Sequence, residues 1–70
     1  MKYGARNNLV GKVTHIKKGA VMCQVTVKLG KGMTITSVMT LDSLRELNIK
    51  KGSKVQAIVK AVNVLLATDE

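Results

Sequence analysis

Residues 21–29 alternate cleanly: Val21, Cys23, Val25, Val27 and Leu29 fall on one side of an extended chain, and Met22, Gln24, Thr26 and Lys28 on the other. A period of two predicts a strand with one face in a core. Upstream, residues 8–17 (NLVGKVTHIK) alternate more loosely and are rich in β-branched side chains, which predicts a strand with a bend at Gly11. A turn centred on Gly19 separates the two, and Gly30, Lys31 and Gly32 close a hairpin into a third strand, Met33–Thr40. The period then changes. Leu41, Leu44 and Leu47 share one stripe of a helix of about two turns. Residues 48–54 (NIKKGSK) turn the chain, with Gly52 in the tight position. Residues 54–60 and 62–67 predict the last two strands, joined with little turn chemistry between them.

Five strands with one short helix between the third and fourth predict an all-β fold, a five-stranded OB-type Greek-key barrel. No repeat, low-complexity linker or proline divides the chain, so residues 1–70 read as a single domain. Several apolar positions do not fit one inward face. Val10 and Ile16 oppose Val13, Ile58 opposes Val55, Ala57 and Val59, and Leu65 opposes Val64 and Leu66. On a monomer these form an exposed apolar patch, the mark of an interface.

Composition strengthens that expectation. Hydrophobic residues make up 46% of the chain, yet Tyr3 is the one aromatic, so the core must be aliphatic. A chain this short usually needs a disulfide, a metal or a partner copy. Cys23 and His15 are each single, so neither an internal disulfide nor a cluster of direct protein–metal ligands is available. Homo-oligomerisation remains. No apolar leader follows Met1 and no apolar run approaches the length of a membrane span. With a lone thiol, this predicts a soluble cytoplasmic protein without a membrane partner.

Twelve Lys and Arg against four Asp and Glu give a formal net charge of +8, which predicts an anionic partner. Nucleic acid and small oxyanions are the two classes. Small β-barrels that bind single strands stack bases on aromatic rings, and Tyr3 offers little platform. The pairs Lys17–Lys18 and Lys50–Lys51 fall at turns. A basic OB-fold nucleic-acid-binding module is therefore the alternative reading, and no specific nucleic acid is expected. Catalysis lacks its parts. Asp42 and Glu46 read as helix-surface residues, Asp69 and Glu70 as a tail, Cys23 as a small inward hydrophobe and His15 as a surface or interface residue. The protein is not expected to be an enzyme.

Hydroxyls gather where the third strand meets the helix, at Thr36, Ser37, Thr40 and Ser43. Thr40 or Asp42 could cap the helix. Thr40 and Ser43 could instead donate to an anion drawn by the helix N-terminus. A tetrahedral dianion offers only acceptors, so its pocket needs donors alone. Of the four carboxylates only Asp42 lies near, and a capping role would turn its charge away from such a ligand.

The segments GARNNLVGKV, IKKGAV, ITSVMTLDSL and AIVKAVNVLLA, in that order over residues 5–67, resemble the molbindins, small molybdate-binding proteins of the Mop-type, TOBE-related family. The resemblance implies an OB-type fold and a homohexamer arranged as a trimer of dimers. It also implies oxyanion pockets at subunit interfaces, holding molybdate or tungstate without an organic cofactor, for storage and homeostasis. Carried over by position, the pocket uses Ala5 and Arg6 of the ARN segment, Thr40 and Ser43 at the helix mouth, and Lys60 of the penultimate strand. The family often has serine where this chain has Gly4 and Ala61, so these two positions offer backbone N–H groups in place of hydroxyls.

Overall fold

The structure is a computed structural model that describes residues 7–69. Strand β1 (Asn7–Lys18) organises it by serving two neighbours. Its first half, from Asn7 to Lys12, pairs with β4 (Lys54–Val59), and its second half, from Lys12 to Lys18, with β2 (Met22–Gly30). Strand β3 (Met33–Thr40) adds to the far side of β2. The result is one four-stranded antiparallel sheet in the order β3-β2-β1-β4, with helix α1 (Leu41–Glu46) between β3 and β4.

Two features of β1 let it curl the sheet. At Gly11 an added Cβ would lie 2.5 Å from the Lys28 carbonyl oxygen and 2.7 Å from Val27 Cγ1, so only glycine permits this approach of β1 to β2. Three residues on, Val13 pairs with Val27 but His15 pairs with Thr26, leaving Thr14 as the extra residue of a β-bulge. The bulge shifts the phase of the strand. Ile16, expected opposite Val13, is carried onto the same face, where it pairs with Val25 and packs on the core.

That inner face holds Val13, Cys23, Val25 and Val27, closed by Leu44 of α1, all buried. Ile16, Leu29, Ile35, Met39, Leu41, Ile49 and Val55 pack around them. Aliphatic side chains of this kind contribute about 1.5–3 kcal/mol each on full burial. Five buried hydrophobic residues among those described make a small core for a chain of this length.

The leucine stripe of α1 ends early. Leu47 lies beyond the helix and is exposed, and Ile49 takes the inward position instead. The Asn48 N–H donates to the Arg45 carbonyl at 3.0 Å and the Ile49 N–H to the Leu44 carbonyl at 3.2 Å. With Asn48 at φ 54°, this is a Schellman ending whose apolar contact joins Ile49 to Leu44. Val21, expected inward, precedes β2 and is 67% exposed. Its carbonyl accepts the Leu41 N–H at 2.8 Å, anchoring the start of the helix.

The fifth strand expected over residues 62–67 does not form within this chain. After Val59 the backbone makes a short 3-10 turn, Ala61–Asn63, and residues 64–69 join no helix or strand. Val62, Leu65 and Leu66 are 86%, 93% and 92% exposed. The physical reason lies at the turn: Asn63 N–H donates to the Lys60 carbonyl and Val64 N–H to that of Ala61, which takes the chain out of the extended ladder. β3 and β4 remain the two edges of an open, curled sheet rather than neighbours in a closed barrel.

Candidate functional site

Thr40 ends β3, opposite Met22, and caps α1. Its Oγ1 accepts the backbone N–H of Ser43 at 3.0 Å and lies 3.0 Å from the Ser43 hydroxyl, to which it donates. The hydroxyl pair thus spends one proton internally and retains one, on Ser43, for an outside acceptor. Capping falls to Thr40 and not to Asp42. The Asp42 carboxylate instead accepts from Arg45 at 3.2 Å, an exposed pair one helical turn apart, worth at most about 1 kcal/mol. Thr36 and Ser37 stand on β3 farther from the helix.

Lys60 follows β4 and opens the 3-10 turn, with its side chain exposed and Ala61 beside it exposed as well. The last described rung of the β1–β4 ladder joins Asn7 to Val59, one residue in sequence from each of Arg6 and Lys60. Asn7 reinforces that rung, its side-chain amide donating to the Val59 carbonyl at 3.4 Å. Gly4, Ala5 and Arg6 lie outside the described residues.

The expected donors therefore fall into two groups. Lys60 and Ala61 sit by the first residue of β1, whereas Thr40 sits one rung beyond Lys18, the last. The curl of the sheet turns both groups towards one groove, which Met39, next to Thr40, and Val59, next to Lys60, line together. Direct donors to one anion must all come within about 3 Å of it. Among the described residues no hydrogen bond links Thr40 or Ser43 to Lys60 or Ala61.

A groove of about 280 Å³ opens on the inner face between the β3 and β4 edges, lined mainly by Val25, Val27, Ile35, Met39, Val55 and Val59. No Lys or Arg lines it, and its polar lining is limited to Thr36, Ser37 and Gln56. Among the described residues no three His, Cys, Asp or Glu side chains gather as a metal-binding group. No described helix is long and apolar enough to cross a membrane.

Comparison with known proteins places these features in a family. The TOBE domain family matches residues 4–66. Molybdenum-pterin-binding protein 2 of Clostridium pasteurianum is 42% identical over 66 residues, covering 94% of this chain and 97% of that protein. A molybdate-binding protein from Sporomusa ovata has the same fold, with a TM-score of 0.89 and 35% identity over 97% of this chain and all of that one. The cytoplasmic molybdate-binding protein ModG, in a form with molybdate bound, gives a TM-score of 0.87 and 42% identity over 93% of this chain and 46% of its own.

Proposed function

This chain belongs to the TOBE domain family, and from that membership we propose that it binds molybdate at sites assembled between copies of the chain. Tungstate, also a tetrahedral dianion, is the equivalent ligand. The protein works in the cytoplasm by holding and releasing the anion, for storage and homeostasis, with no organic cofactor and no chemical step. Relatives that bind molybdenum-pterin or molybdate support the ligand class.

The observation that carries the interface reading is the exposed apolar tail of the single chain. Lys60 and Ala61, with Gly4, Ala5 and Arg6, come from one copy, and Thr40 and Ser43 from another. A site built this way exists only in the assembly. Val62, Leu65 and Leu66 leave the sheet next to an apolar groove that its own chain leaves open. The corresponding tail of a second copy, laid between the β3 and β4 edges, supplies the fifth strand and closes the barrel. The assembly we propose is the homohexamer, a trimer of dimers.

Native mass spectrometry with and without molybdate tests this. The expected spectrum is a six-chain species that gains molybdate mass in whole-number steps. A single-chain species at micromolar concentration, or a hexamer that gains nothing, overturns the reading.

A further inference from the structure

The register of the sheet brings together three lysines that are far apart in sequence. Lys12 pairs directly with Lys28 on one side and with Lys54 on the other, and Thr34 continues the row beyond Lys28. Directly opposed residues project from the same face, so the three ammonium groups stand side by side across β2, β1 and β4. All three are exposed. The next row on this outer face is His15, Thr26 and Thr36, and the one after it is Lys17, Gln24 and the exposed Val38. No carboxylate stands on any of the four strands, and the one ion pair among the described residues is on α1.

Like charges directly opposite one another destabilise a sheet. A row of three with no counter-ion among the described residues works against the fold and favours an anion laid across the strands. We propose that this outer face docks the phosphodiester backbone of duplex nucleic acid, without reading its sequence. The row spans about 10 Å, two inter-strand spacings, long enough to meet more than one phosphate of a duplex. Lysine ammonium, threonine hydroxyl and glutamine amide are the side chains that hold phosphate oxygens, and this face offers all three. The face carries no aromatic ring, so it has no platform on which single-stranded bases could stack. A protein partner would call for an apolar, lysine-poor centre; the exposed apolar residues of this face, Val10, Ile58, Val38 and Met22, flank the lysine row, and its centre is Lys12. The inner groove, where a second copy's tail is proposed to lie, is on the opposite face. The inference stands independently of the molybdate reading.

The test is fluorescence anisotropy with two labelled duplexes of unrelated sequence, across a series of potassium chloride concentrations. Comparing Lys12→Gln/Lys28→Gln/Lys54→Gln with Lys18→Gln/Lys31→Gln/Lys50→Gln removes equal charge from the row and from positions at or beside the turns. Both duplexes are expected to bind the parent equally. The row variant should flatten the slope of log K against log salt by about 0.9 for each lysine that meets a phosphate, and the turn variant should leave it nearly unchanged. An equal effect from both triples would mean diffuse attraction by net charge and would overturn the proposal. So would a sequence preference, or tighter binding of a single strand. Thermal melting at low salt supplies the fold control: relief of the opposed charges should raise the melting temperature of the row variant. A lower one would mean that the lysines serve the fold, and would also overturn it.

Discussion

Thr40 Oγ1 and the backbone N–H of Ser43, 3.0 Å apart, tie the end of β3 to the start of α1. The same contact separates the two roles open to these hydroxyls. Thr40→Ala removes the cap and is expected to cost about 1 kcal/mol of stability. Ser43→Ala leaves that backbone bond in place but deletes the hydroxyl proton that still faces outward. It should fold like the parent while molybdate binding weakens by about 0.5–1.5 kcal/mol. Chemical denaturation without ligand and titration calorimetry with molybdate measure the two effects separately. Unchanged binding in Ser43→Ala would remove this hydroxyl from the site.

Asn48 makes the ending of α1 available to a second test. At φ 54° it occupies the left-handed region that glycine enters freely, asparagine tolerably and alanine at a cost. Asn48→Ala is expected to lose about 1 kcal/mol of stability and Asn48→Gly to match or exceed the parent. If both variants melt together with the parent, the turn does not hold Ile49 on the core.

Gly11 is constrained by space. Its neighbour across the strands is the Lys28 carbonyl, a backbone atom that cannot swing aside as a side chain would. Gly11→Ala should destabilise the fold by about 1–3 kcal/mol, the usual range for forcing a methyl group into a packed site. A parent-like denaturation midpoint would mean that β1 relaxes away from β2 without loss.

These two positions also mark where sequence reading succeeds and where it stops. Residues 21–29 alternate, and the strand forms over Met22–Gly30, with Cys23, Val25 and Val27 inward as the period of two requires. The bend at Gly11 was legible because glycine in a β-rich run has few other uses. The bulge at Thr14 was not. Nothing in THI announces an extra residue, and with it the facing of Ile16 changed. The tail shows a different limit. Residues 62–67 have the composition of a strand, but composition cannot say whose edge the strand will join. Within one chain no edge receives it. The helix mouth was found from its hydroxyls, and its cap was one of two readings already open. The lysine row was invisible because Lys12, Lys28 and Lys54 become neighbours only through register.

Lys60 and Leu65 separate binding from assembly. Lys60→Ala removes a cationic donor, and if that donor meets a desolvated anion the loss should be about 2 kcal/mol or more. Its exposed position at the end of β4 gives the chain no structural reason to miss it, so the assembly should persist. Leu65→Lys acts on the other term. Leu65 is 93% exposed in the single chain, so a charge there costs nothing until a second copy covers it. Covered, it becomes a buried and unpaired cation, which an interface does not tolerate. Leu65→Lys should therefore lose both the oligomer and molybdate binding, although no donor has been touched. Sedimentation velocity paired with calorimetry on the two variants reads the outcome. Full binding by a monomeric Leu65→Lys would place the whole site within one chain, and would refute the division of donors between copies.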